Sequence, residues 1–285
     1  MNKKLNIKNL LLIAAALIAV GVIGSLVTRA FSSGDEALIL ERNFNVSQVA
    51  SLDVSANNHR LEFIPTNGQE ILVILNDSSR NSTLEAEING ETLNIVANQR
   101  SRSRINFGIR IHQALCLEIH LPREVFDTLN ASTRNGRVIV NDVKVGELAV
   151  STTNGRVDLN NIYSEQTTVS SRNGQVSLTN VEGTVNVTAN NGRINLTDIS
   201  GNVEARSHNG AINFTNPTLS QDVNLRTNNG RILISLLEEP TDVVFEASTS
   251  NGRIRIFGES LNHREVGRGT YLIRLNTSNG AITVE

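Results

Sequence analysis

Five arginines stand directly after an Asn-Gly dipeptide: Arg137, Arg156, Arg193, Arg231 and Arg253. A guanidinium is a planar fork of donors that meets carboxylate or phosphate oxygens two at a time, so a repeated row of them could hold a polyanion. Two such charges about 5 Å apart in water repel by roughly 1 kcal/mol, a cost that a bound anion would reverse. The competing reading is that arginine keeps an exposed corner soluble and blocks sideways sheet pairing. Glu147, Glu165, Glu182 and Glu204 are near enough in sequence to neutralise it.

Groups for acid-base chemistry are harder to assemble. Asp142, Asp158, Asp198 and Asp222 lie seven, four, seven and thirteen places past their Asn-Gly asparagine, so only the first and third share a column. Those two are three repeats apart, about 14 Å if repeats stack at strand spacing, which is too far for a pair of carboxylates sharing one glycosidic bond. The absence of Trp and the presence of only two Tyr remove the aromatic platforms that sugar subsites use. Cys116 shares a strand face with His112 and His120, but residues four apart on a strand are about 13 Å from each other and cannot chelate one ion. We therefore assign no catalytic residue, no metal site and no cofactor, and read Cys116 as a small inert side chain. The glycine-rich, aspartate-bearing nonapeptide of calcium-binding β-rolls is absent. Arg100, Arg102 and Arg104 read as a solvated loop or edge, and His59, His208 and His263 have no ligand-like company in the sequence. Parallel β-helices do host polysaccharide lyases and hydrolases, so a polysaccharide-active enzyme is the alternative class.

The elements that must position these groups recur on a nearly fixed pitch. Asn-Gly falls at Asn135-Gly136, Asn154-Gly155, Asn173-Gly174, Asn191-Gly192, Asn209-Gly210, Asn229-Gly230, Asn251-Gly252 and Asn279-Gly280, at intervals of 19, 19, 18, 18, 20, 22 and 28. Three and five places past each Asn all sixteen residues are apolar, from Val138 and Val140 to Ile282 and Val284, with polar residues between them. That is a strand with one buried face. A second alternating strand precedes each dipeptide, and the residue two places before the Asn is always small.

Two architectures produce such columns. Asn-Gly between alternating strands is a strong hairpin signal, which would give an antiparallel meander or barrel of hairpins. A parallel β-solenoid explains more, because stacking demands a constant coil length and a small inward residue at a sharp bend. We expect an all-β, right-handed parallel β-helix, the hand following from strand twist. Asn would sit at each corner in a left-handed conformation with Gly beside it. The longer last intervals predict loops around Leu237–Thr241 and within 258–269.

The start of the chain has a different character. Lys3, Lys4 and Lys8 precede an uncharged run from Asn9 to Thr28. This reads as a cytoplasmic N-terminus over 1–9, a transmembrane helix over 10–28 and a tether over 29–36, with everything beyond exported. A cleaved secretion signal is the alternative, although the apolar run exceeds the usual signal core of about 7 to 15 residues. The expected site is the bacterial cytoplasmic membrane, single-pass, with the C-terminal domain outside. Beyond residue 31 there are 22 basic against 28 acidic residues, and this mildly acidic balance speaks against nucleic acid as a partner.

Residues 37–130 are strand-rich without the tight repeat and are read as a cap on the repeats at 131–285. The order of anchor, strand-rich segment, CLEIHLPREVFDTLNASTRNGRVIV and Asn-Gly repeats resembles a bacterial family of membrane-anchored, adhesin-like β-strand-repeat proteins over roughly residues 40 to 285. Its most telling stretch is a strand ending in Leu121-Pro122, followed by Leu129, Ala131 and the first Asn-Gly. The resemblance implies a β-helical exported domain without catalytic residues, presenting a surface to an envelope polymer or protein partner. It also implies a link, in some relatives, to envelope stress responses, which leaves an accessory of such a system as a third reading.

Overall fold

The computed structural model describes residues 38–77, 81–99 and 115–285. The expected transmembrane helix, the Arg100–Arg104 cluster and His112 lie outside them. Among the described residues no helix is long and apolar enough to cross a membrane. The described chain is all β apart from one short 3-10 turn at Val46–Gln48.

Eight strands come first: β1 (Leu38–Asn45), β2 (Ser51–Ala56), β3 (Arg60–Thr66), β4 (Glu70–Asp77), β5 (Ser82–Asn89), β6 (Thr92–Gln99), β7 (Cys116–Pro122) and β8 (Val125–Thr133). Three long strands follow, β9 (Val138–Thr152), β10 (Val157–Ser171) and β11 (Val176–Ala189). Then come β12 (Ile194–Ser200), β13 (Val203–Ser207), β14 (Ile212–Asn216), β15 (Val223–Thr227) and β16 (Ile232–Leu236). The last are β17 (Val243–Thr249), β18 (Ile254–Ile256), β19 (His263–Val266), β20 (Tyr271–Thr277) and β21 (Ile282–Val284).

Pairing between successive repeats is parallel and in register, Val138 with Val157, Val157 with Val176 and Val176 with Ile194. Each repeat is therefore one coil of a solenoid-like stack, and the meander of hairpins is excluded for the repeats. The three long strands bend midway, so their first halves lie on one face and their second halves on the other. The first face runs β1, β4, β7, β3, β9, β10, β11, β12, β14, β16, β21, β18. The second runs β5, β6, β2, β8, β9, β10, β11, β13, β15, β20, β17, β19. Of the sixteen apolar column residues, all but Ile254 on the last coil are buried. Each such Val, Leu or Ile stabilises the stack by about 1.5–3 kcal/mol relative to leaving it in water.

The order of the coils departs from the order of the chain at both ends. At one end β20–β21 slide between the β15–β16 coil and the β17–β18 coil, so the long final intervals arise from this exchange. Part of the loop expected within 258–269 is itself a strand, β19, antiparallel to β17. At the other end β6 and β7 stack outside β2 and β3, although they follow them in sequence. Coils thus reach into the segment expected to be only a cap. Antiparallel strands, β5 on one face and β4 with β1 on the other, cover the outermost coil and use up edges that would otherwise template pairing with another chain.

Candidate functional site

The Asn-Gly corner is built by three columns. Two places before the Asn at four corners, a hydroxyl accepts the glycine N–H: Thr133 from Gly136 at 3.2 Å, Thr152 from Gly155 at 2.9 Å, Ser171 from Gly174 at 3.0 Å and Ser207 from Gly210 at 2.9 Å. The same kind of hydroxyl donates to the neighbouring coil's glycine carbonyl, as Thr227 does to Gly210 and Thr277 to Gly230, each at 2.9 Å. The small column is therefore chosen for hydrogen bonding as well as for size. Ala189 is its one member without a hydroxyl.

The second column is a ladder of asparagine amides. Each Nδ2 donates to the Oδ1 of the adjacent coil at 2.6–2.9 Å, through Asn58, Asn135, Asn154, Asn173, Asn191, Asn209, Asn229, Asn279 and Asn251 in that order. Asn58 in turn donates to Gln99 at 3.0 Å.

The third column is the glycine, and its role differs from expectation. None of the eight Asn-Gly pairs at these corners has positive φ, unlike Gly90 of Asn89-Gly90 at 65°. What requires glycine is proximity: a Cβ on Gly174 would overlap the carbonyl oxygen of Gly155, and one on Gly155 that of Gly136. Apart from Phe257 in the turn after β18, the left-handed non-glycine residues among those described lie at the opposite bend, where Asp142, Asn161, Asn180 and Asp198 have φ of 54°, 55°, 54° and 53°. Asn161 donates to Asp142 at 2.8 Å and Asn180 to Asn161 at 2.9 Å. The column that offered Asp142 and Asp198 as candidate acids is therefore a structural bend. Asp or Asn seven places past each of the first four corner asparagines was the sequence signal for it.

The arginine row follows the ladder along the outside of the corner. In stack order it reads Arg137, Arg156, Gln175, Arg193, Ala211, Arg231, Ala281, Arg253, fixed by backbone bonds between successive coils such as Ile212 N–H to Arg231 C=O and Ile232 N–H to Ala281 C=O. All five arginines are exposed. Asp158, with its side chain only 8% exposed, accepts from Nε of Arg137 and of Arg156, each at 2.6 Å. The side chains of Arg193, Arg231 and Arg253 have no acid partner among the described residues. Of the expected neutralising acids, Glu147, Glu165 and Glu182 sit at the opposite bend and form no ion pair with the row, while Glu204 pairs with Arg206. Sequence reasoning missed Arg60, which precedes Arg137 in the row and pairs with Glu62 at 2.9 Å. The signal was Asn58-His59-Arg60, a copy of Asn-Gly-Arg with His in the glycine place. On the other flank of the corner, two shallow clefts hold Ser151, Ser170 and Arg172, then His208, Arg226 and Asn228, with Asn190 common to both.

His59 also corrects the reading that it has no company. Its Nε2 lies 2.9 Å from Ser82 Oγ, and Asp77 accepts the Ser82 N–H at 2.7 Å. All three are buried. This is not a nucleophile triad, because Asp77 caps the backbone at Asn81 and Ser82 while His59 Nδ1 has no hydrogen-bond partner. Burial lowers the His59 pKa below its ordinary 6.5 against the opposing pull of Asp77. Cys116 shares the outward face of β7 with His120, as expected, and packs against Arg60. Burial pushes its thiol pKa up, which keeps it protonated and unreactive. Among the described residues no three His, Cys, Asp or Glu side chains converge as metal ligands.

A family model, Toastrack DUF4097, matches residues 49–285, so the chain belongs to that family. No curated protein matches it. Two solved structures are similar at 12% identity over 87% of this chain. One, from Clostridium sporogenes, is provisionally classed as a cell adhesion protein (TM-score 0.34, 99% of its own chain covered). The other, from Bacteroides fragilis, is provisionally classed as an adhesin (TM-score 0.49, 97% covered).

Proposed function

We propose that this Toastrack-family protein is a non-enzymatic, adhesin-like component of the bacterial cell envelope. Residues 10–28 tether it to the cytoplasmic membrane, and its right-handed stack presents the Asn-Gly edge to an anionic envelope polymer. The observation that carries this reading is the sorting of charge. In a chain with more acids than bases, Arg193, Arg231 and Arg253 stand exposed and unneutralised along one edge, while Glu147, Glu165 and Glu182 gather at the opposite bend. Such a row attracts a polyanion at low salt and loses hold as screening rises.

The four candidate acids for an enzyme support this reading by their other engagements. Asp158 binds two arginines, Asp142 and Asp198 hold the left-handed bend, and Asp222 accepts the Leu272 N–H at 2.9 Å. Asp222 shares a shallow cleft with Glu204, but that acid is paired with Arg206.

The test is retention of the protein on immobilised anionic polysaccharide across a salt gradient. Replacing Arg193, Arg231 and Arg253 by Gln should shift elution to clearly lower salt, each contact being worth roughly 0.2–1 kcal/mol. Replacing Arg137 and Arg156, already held by Asp158, should shift it less. Equal retention of wild type and the triple variant would overturn the reading. Partition of the full chain between membrane and medium tests the tether, and recovery mainly from the medium would favour a cleaved signal.

A further inference from the structure

The row has a period that the coil does not. Coils repeat about every 4.8 Å, yet the unneutralised guanidinium groups fall on alternate coils: Arg193, then Ala211, Arg231, Ala281 and Arg253. The asparagine ladder and the parallel register fix these positions along the stack. Free positive charges therefore recur at about 9.6 Å, two strand spacings, and between them lie only methyl groups. Arg137 and Arg156 occupy adjacent coils but are both taken by Asp158, so they do not break this spacing of free charge.

We infer that the ligand of this edge is a linear polysaccharide with one carboxylate per disaccharide, each anion over an arginine and each neutral sugar over an alanine. Two extended, equatorially linked hexoses span close to two coils. The intervening alanines leave room for a pyranose ring and offer an apolar floor to its C–H face. A polymer charged on every sugar would set alternate carboxylates over Ala211 and Ala281, where the row offers them no cation. The inference rests on the proposed basic edge and adds to it the spacing of the ligand's charges.

The experiment measures binding of detergent-solubilised full chain to fluorescent oligosaccharides of equal length at low ionic strength. The probes are hyaluronan, charged on alternate sugars, and oligogalacturonate, charged on every sugar, with polyglutamate as a non-sugar polyanion. We expect hyaluronan to bind at least about fivefold tighter than oligogalacturonate despite carrying fewer charges, the scale of one exposed ion pair. The variants Ala211→Arg and Ala281→Arg, which make the row continuous, should abolish or reverse that preference. The inference fails if affinity follows charge density alone, if polyglutamate matches hyaluronan, or if the alanine variants strengthen both sugars equally. In those cases the Arg193, Arg231 and Arg253 to Gln variant would still weaken binding, and the basic edge would stand. If no probe binds, or that variant binds as wild type does, the edge itself is wrong and the inference falls with it.

Discussion

The two turns of each coil solve the same problem by different physics. At the Asn-Gly corner successive backbones come so close that no Cβ fits, so one residue type is admitted and the corner repeats eight times. At the opposite bend the constraint is on φ, which Asp142, Asn161, Asn180 and Asp198 satisfy with a short polar side chain that also joins a ladder through Asn161 and Asn180. Beyond Asp198 the bend changes again. Asn216 turns its amide inward to accept from the Ile199 N–H and donate to the Ile199 carbonyl, both at 2.8 Å. A limit set by contact leaves a single residue possible, and a limit set by conformation leaves a choice.

The sharpest way to break this comparison is Gly174→Ala. Because the obstacle is the Gly155 carbonyl, neighbouring coils would have to separate, and we expect a loss of about 3 kcal/mol or more in denaturant unfolding. Next comes Thr227→Val, which keeps the shape but strands the Gly210 carbonyl, at about 1–3 kcal/mol. At the opposite bend Asn161→Ala should cost about 1–2 kcal/mol from left-handed strain and a lost ladder bond, and Asn161→Gly should recover most of the strain part. If glycine helped at neither bend, or alanine were tolerated at Gly174, the distinction would be wrong.

His59 tests the corner where glycine is missing. Its folded pKa lies below 6.5, so as pH falls under 6.5 the unfolded chain takes up a proton that the folded chain refuses. Stability of the β2–β3 coil and of β5 should therefore be full above that pH and decline below it, down to the folded pKa. Hydrogen exchange in β5 across this window should show the decline in wild type and not in His59→Gln. The smallest expected effect is a gain. Ala189→Ser would give the Gly192 N–H the hydroxyl its counterparts have, adding about 0.5–1 kcal/mol.

Much of this fold was legible because strand alternation and tight stacking leave unambiguous marks. The apolar pairs after each Asn-Gly identified the buried face, and the constant interval identified the coil. The conformation of the corner was not legible, since Asn-Gly favours positive φ in isolated turns and only the neighbouring coil shows that closeness is the reason for glycine. The pairing of Arg156 with Asp158, two places on along one strand face, was open to view, but that of Arg137 was hidden. Asp158 lies 21 residues past Arg137 and meets it only because the coils stack. The exchanged order at the C-terminal end left a trace in the interval of 28, but a longer interval fits a plain loop as well as a coil that doubles back.

That exchange bears on how the molecule is assembled. A stack laid down in chain order could grow one layer at a time, each coil resting on a finished one. Here β17 and β18 emerge before the layer that supports them, and must wait as an unattached flap until β20 and β21 thread underneath. The far end is thus closed in one cooperative event, so shortening the chain within β20 would remove an inner layer and leave the outer coil with nothing to dock on.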